Sequence, residues 1–278
     1  MFRDALDYPT RRPAGSRSVL LGGALLLFVG VPVAIAGLGV EYVPAALVAL
    51  APWLLVRGYY VRVVRTTIGR EYPTPPRFGN VGGLFVDGIR AVGVAVVYLL
   101  PGIVVLGPLV VARTTGFELP TLFARIGLPT ALSNAALSVT GLLALFALLY
   151  LIGALYALPV AVANFAYTDR FVAAFDIRTV LSGALTEDYA VAWAVSLLLQ
   201  AVLIPIAYPL RAVLVGFFLH FFASVTVRYC YGQGVGAALG LEPVGTTPDE
   251  EPEGGADTEV TAAIRPIDGE WNESETRR

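Results

Sequence analysis

The chain has 278 residues, of which 56% are hydrophobic and 14% charged, with a mean hydropathy of +0.72. A soluble domain carries roughly 25% charged residues, and several apolar runs here approach the ~20 residues a helix needs to cross a bilayer, so a soluble globular domain is excluded. The net charge of −2 hides an asymmetry: all 19 basic residues are arginine, and 11 of the 21 acidic residues lie from Glu242 onward.

Several chemistries drop out with these counts. Without lysine there is no phosphate-binding G-x-x-x-x-G-K-[ST] loop and no Schiff-base lysine. One histidine, His220, and one cysteine, Cys230, do not make an ordinary zinc site or an internal disulfide. No paired carboxylates fall within an apolar run. No catalytic residue, metal ligand or cofactor is assigned, and the chain is expected not to be an enzyme. An arginine-only composition with an acidic tail suits a salt-rich cytoplasm, where the Debye length falls to ~3 Å at 1 M; a GC-rich genome produces the same bias.

In chain order, residues 1–18 read as a polar segment in which Phe2, Ala5 and Leu6 share one helical face, either a short interfacial helix or an unspecific terminus. The run 19–39 is too long for the core of a cleaved signal and is taken as the first span. Glu41, Tyr42 and Pro44 make a turn. Span 2 covers about 43–63, and Arg57, inside it, is expected to snorkel to the interface rather than to line a pore. Residues 55–90 hold six arginines, Arg57, Arg62, Arg65, Arg70, Arg77 and Arg90, against Glu71 and Asp87 alone. This stretch orients the chain, because arginines at membrane ends face the cytoplasm far more often than not. Pro73, Pro75 and Pro76 followed by Gly79, Gly82 and Gly83 make a compact loop.

Leu84–Arg90 reads as an interfacial lead-in to span 3, at about 91–111, with Pro101 and Pro108 kinking or ending it. Residues 113–130 form an interfacial segment on the far side. Span 4 is set at about 139–161 within an apolar stretch that must tilt, break near Pro159 or begin outside the membrane. Residues 167–189 make an amphipathic connector. Span 5 runs about 190–208, Pro205, Pro209 and Arg211 mark a turn, and span 6 runs about 212–230. Residues 236–278 are acidic, poor in apolar surface and expected to be a disordered tail, which leaves a transmembrane domain over 1–235.

Six spans place both ends on one side. Thirteen arginines of the membrane part then fall on the cytoplasmic side and three, Arg113, Arg125 and Arg211, on the other. A weak tandem repeat of helical hairpins is also visible: AL-D-Y (5–8) precedes a hairpin ending in YVRVVR (60–65), and AL-TED-Y (184–189) precedes one ending in TVRYCY (226–231).

The polar residues within apolar runs are the candidates for a site. Gln200 and His220 sit about ten residues either side of the expected turn, at similar depth, where they can hydrogen-bond as interhelical glue or form a substrate- or proton-sensing site. Asn164 has the same two readings. Arg62, Arg65, Arg70 and Arg77 are candidate contacts for anionic lipid headgroups, since the basic loop lacks the aromatic interleaving of a nucleic-acid surface. Gly153 and Ala157 let a neighbouring helix approach, as in packing or dimerisation with a second copy or another membrane protein.

The motifs DALDYP (4–9), YYVRVVR (59–65), EYPTPPRFGNVGGLFVDGIRAVGVAVVYLLP (71–101) and ALTEDYAVAWAV (184–195) resemble an archaeal membrane-protein family, "domain of unknown function 4013", common in haloarchaea. The resemblance covers roughly residues 1–235, and its one departure is a proline loop less acidic than is usual. It implies a multispan membrane protein of haloarchaeal source and carries over no functional residue. The expectation is therefore an all-α integral membrane bundle of about six spans in the cell membrane, with both termini cytoplasmic. Its role is either to organise membrane or partners without catalysis, or to act as a small secondary transporter or channel with a site between spans 4, 5 and 6.

Overall fold

The computed structural model describes residues 2–12, 14–39, 44–116, 119–127 and 129–243. They form ten α-helices and no strand: α1 (Phe2–Asp7), α2 (Gly15–Ala36), α3 (Ala45–Val48), α4 (Leu50–Thr67), α5 (Val81–Thr114), α6 (Leu119–Arg125), α7 (Thr130–Thr168), α8 (Ile177–Ala184), α9 (Glu187–Leu210) and α10 (Val215–Leu239). Five stretches are long and apolar enough to cross a membrane: Gly15–Ala36, Ala46–Thr67, Val81–Thr114, Thr130–Thr168 and Glu187–Val213. The sixth long helix, α10, has 25 residues but carries His220, Arg228 and Gln233, and 12 of its residues are buried. The protein is thus an all-α helical membrane bundle. The turn expected at Glu41 and Tyr42, and the acidic tail from 244 on, lie outside the described residues.

Local chemistry sets the helix ends. Asn80 adopts a positive φ of 47°, and its side chain accepts from the Gly83 N–H to start α5. Asp169, at φ 54°, stops α7. Asp176 and Thr186 cap α8 and α9 through the amides of Thr179 and Tyr189. Several expected boundaries move. The lead-in 84–90 and span 3 are one continuous helix of 34 residues, and α7 runs unbroken through Pro159 for 39. At 1.5 Å per residue these helices reach about 51 and 58 Å, well beyond a ~30 Å hydrocarbon core. Pro205 and Pro209 lie inside α9, so the reversal falls later, in a 3₁₀ turn at Arg211–Val213 closed by Leu214 at φ 65°. At its other end α10 runs to Leu239, four residues into the expected tail, and Leu241 still packs on the core.

Helices α4 and α10 stand at the centre. α10 packs along α9, α2 and α4, while α4 also packs on α5 and α7. Small residues allow this. A Cβ on Gly58 would enter the Leu84 carbonyl and one on Gly88 would enter that of Leu54, so α4 and α5 cross backbone on backbone. On α2, Gly22, Gly23 and Gly30 receive the rings of Phe221, Phe218 and Phe217 of α10.

The arginine-rich end is strapped together by the proline loop. Three prolines lack N–H groups, so the segment joins no ladder, and its carbonyls are met by side-chain donors instead. Ser18 and Tyr59 hydroxyls donate to Pro76 O at 3.0 and 3.1 Å, and Arg11 donates to Pro73 O at 3.2 Å. Arg62 donates to Arg77 O and Gly79 O, and Gln233 donates to Thr67 O and Arg70 O. Phe78 stacks on Tyr59 at 4.1 Å. The N-terminal segment is docked: Ala5 and Tyr8 are fully buried, and Tyr8 packs on Tyr229 at 4.9 Å. Ala184 and Tyr189, which lead the second hairpin, are buried too, in a cluster with Val61, Val64 and Ile68. Each lead therefore sits beside the exit of the other hairpin.

Candidate functional site

Between the helices, two half-open chambers share one wall. The first, about 310 Å³, lies between α2, α4, α9 and α10 and is lined on its polar side by Arg57, Tyr60, Gln200, His220, Ser224 and Arg228. The second, about 420 Å³, lies between α4, α5 and α7, and its other lining is almost wholly apolar, including Ala91, Ala95, Leu99, Leu155 and Val162. Trp53, Arg57, Tyr60, Gln200 and Arg228 line both chambers.

The two arginines define the electrostatics. Arg57 stands near the middle of the apolar stretch Ala46–Thr67, and Arg228 near the middle of α10. No Asp or Glu lines either chamber, and among the described residues neither arginine joins an ion pair. Their guanidinium groups rest on aromatic faces instead: Arg57 lies 5.0 Å from the Trp53 ring, and Arg228 lies 5.1 Å from Tyr60 and 5.6 Å from Tyr231. Such contacts are worth roughly 0.5–2 kcal/mol each, against several kcal/mol for desolvating an ion. The wall carries positive charge that no carboxylate among the described residues neutralises.

His220 adds a donor. Its Nδ1 lies 3.2 Å from an Arg211 Nη. A guanidinium can only donate, so Nδ1 accepts and the ring proton sits on Nε2. Arg211 rests on the rings of Tyr208 and Phe217 and likewise meets no carboxylate among the described residues. His220 lies within the combined field of Arg211, Arg228 and Arg57. The chamber therefore offers N–H donors and positive charge, which suits an anion.

The predicted site residues separate. Gln200 and His220 line the same chamber, but they do not bond to each other. Gln200 donates to Ser196 O on its own helix at 3.3 Å, and His220 takes Arg211. The late reversal explains this, since His220 is only six residues beyond Leu214 while Gln200 is ten before Leu210. Asn164 is elsewhere; it donates to Ala173 O at 2.8 Å and holds the connector against α7. Of the proposed headgroup contacts, Arg77 is exposed and Arg62 binds the loop. Arg65 is engaged inside the protein by Asp87 at 3.4 Å, Asp169 at 3.0 Å and Ala166 O at 2.7 Å. Arg57 does not snorkel toward the arginine-rich end; its side chain turns back one helical turn onto Trp53, the usual direction for a helical side chain.

The Arg57–Arg228 wall is what sequence reasoning missed. Its signal was available, because each arginine lies some ten residues from either end of a long helix. Reading Arg228 as part of a cytoplasmic exit concealed it. Among the described residues, no group of three His, Cys, Asp or Glu side chains gathers as a metal site requires.

A family model described as "Protein of unknown function (DUF4013)" matches residues 42–215, and the chain belongs to that family. The matched span contains Arg57 and Gln200 and ends before His220 and Arg228. No curated protein and no solved structure matches the chain.

Proposed function

We propose that this is a non-enzymatic membrane carrier that binds an anion between its two helical hairpins, at Arg57 and Arg228. The observation that carries the reading is a pair of arginines that line one half-open chamber in an apolar bundle and meet no carboxylate among the described residues. An intramembrane charge that faces a cavity without a counter-ion marks a substrate path more often than a structural contact. Gln200 and the His220 Nε2–H supply neutral donors at the same wall.

In this reading α10 is the sixth span. Both termini are cytoplasmic and the protein resides in the cell membrane, supported by the arginine excess at one end. An all-arginine composition and an acidic tail support a salt-adapted archaeal source. A second reading, an organiser of lipids or of a partner, is favoured by the exposed Arg77 and by Gly141 and Gly153, which face open space on α7. It is weakened by the internal engagement of Arg62 and Arg65.

The test uses the full-length protein in phosphatidylcholine nanodiscs and measures its unfolding temperature with sodium chloride, phosphate, acetate or octanoate at constant ionic strength. At least one anion should raise the midpoint by several degrees in the wild type and not in Arg57→Gln/Arg228→Gln. Uptake of that anion into proteoliposomes should fall in parallel. If no anion stabilises the wild type, the reading is wrong; binding without uptake removes the carrier role. Stabilisation only by added phosphatidylglycerol, unaffected by the double variant, would favour the organiser.

A further inference from the structure

We infer that the ligand is an amphipathic anion, whose carboxylate or phosphate head sits on the Arg57–Arg228 wall and whose apolar tail fills the chamber between α4, α5 and α7. This rests on the anion-binding reading and narrows it to a chemical class. The argument is the adjacency of two unlike chambers. A carrier for a small, fully hydrated anion would need polar groups on all sides of its ligand. Here the arginine wall is polar on one side only, and behind it opens a chamber of about 420 Å³ lined by aliphatic and small residues. A cavity of that size falls within the roughly 300–1,000 Å³ of small-molecule sites. A bare inorganic anion fills little of it, and an apolar void beside a charge cannot hold well-bonded water.

The residues divide the work by type. The planar guanidinium groups of Arg57 and Arg228 match the fork of a carboxylate or phosphate. Trp53 and Tyr60, on the same wall, hold those groups from behind and line both chambers, so each presents an apolar face to the first segment of a tail. Ala91 and Ala95 on α5 are small and leave room beside Leu99, Leu155 and Val162. The occupant is a head-and-tail molecule with a single anionic end. The head comes either from a free alkyl acid or from a membrane lipid with the same group.

The experiment titrates acetate, butyrate, hexanoate and octanoate into the full-length protein in phosphatidylcholine nanodiscs, with empty nanodiscs subtracted. Octyltrimethylammonium and octanol serve as head controls. Affinity should rise about twofold to fourfold for each added methylene and level off when the chamber is full. Ala95→Phe, which places a ring in the tail chamber, should bring octanoate down to the affinity of butyrate and leave acetate unchanged. Arg57→Gln/Arg228→Gln should lose every carboxylate. Competition of octanoate by phosphatidylglycerol in the disc would identify the head as a lipid's, and no competition would identify a free acid. Carboxylates that bind without chain-length dependence overturn the amphipathic ligand and leave the anion site standing. Octanol or octyltrimethylammonium binding as well as octanoate, or failure of every carboxylate to bind, overturns the amphipathic anion, and the anion site itself then stands or falls with the chloride and phosphate measurements above.

Discussion

Arg57 and Arg65 lie two turns apart on α4, yet the bundle treats them in opposite ways. Arg65 makes one bond to a backbone carbonyl and two to carboxylates, Asp87 of α5 and Asp169 at the end of α7. Arg90 reaches the same Asp169 at 3.6 Å. Three helices are thereby tied at the arginine-rich end, and the charge is consumed. Among the described residues, Arg57 meets the face of Trp53 and Arg228 those of Tyr60 and Tyr231, and neither meets a carboxylate. Breaking a compensated pair strands its partner charge and costs stability, whereas an arginine desolvated without a counter-ion already bears that cost. The difference separates architecture from site more sharply than residue type or depth does.

The frame common to both breaks first. Gly58→Leu, next to Arg57, drives a side chain into the Leu84 carbonyl and forces α4 from α5. Backbone cannot yield as a flexible side chain does, so a loss of at least about 3 kcal/mol is expected, read as absence of a monodisperse folded peak on purification.

The two arginine sites should then diverge in sign. Arg65→Ala leaves Asp87, whose side chain is 9% exposed, without its ion partner and should cost about 3 kcal/mol, measured by unfolding in mixed micelles. Arg57→Gln/Arg228→Gln in ligand-free protein should instead leave stability unchanged or raise it by about 1 kcal/mol, because two desolvated charges are removed. A large destabilisation by that double variant would mean that its guanidinium groups are structural and would erase the contrast.

The smallest effect is at the surface connector. The Thr179 hydroxyl, and then its amide, hold the Asp176 carboxyl below its ordinary value near 3.8. A lowered folded value contributes stability that is present above the unfolded value and is lost as pH falls through the folded one. The protection of α8 amides against hydrogen exchange, relative to the intrinsic rate at each pH, should therefore fall between about pH 5 and pH 2. Asp176→Asn keeps an acceptor but not the charge and should flatten that dependence, while both arginine sites stay unaffected.

Much of the fold could be read from the chain, because long apolar runs, arginine clusters and proline–glycine loops are local properties. A boundary failed where prolines were taken to mark a turn: Pro205 and Pro209 lie inside α9, just as Pro101, Pro108 and Pro159, which spans 3 and 4 were read to contain, lie inside α5 and α7. The candidate site was half legible. Gln200 and His220 do face one chamber, since a polar residue within an apolar run is a local anomaly. Their partners could not be read, because a two-residue error in the turn shifts one helix past another by about 3 Å. Asn164 shows the converse, an anomaly of the same kind that a nearby carbonyl explains fully.

By itself, the sequence determined that this chain is helical, that it belongs in a bilayer and that one end of it is rich in arginine, since each follows from composition summed over runs of roughly 20 residues. Only the tertiary structure decided which arginines are satisfied. Arg65 meets Asp169 across 104 positions of chain, and Arg57 shares a wall with Arg228 from the far hairpin. Charge compensation is a matter of a few ångströms in space, and no local pattern encodes it.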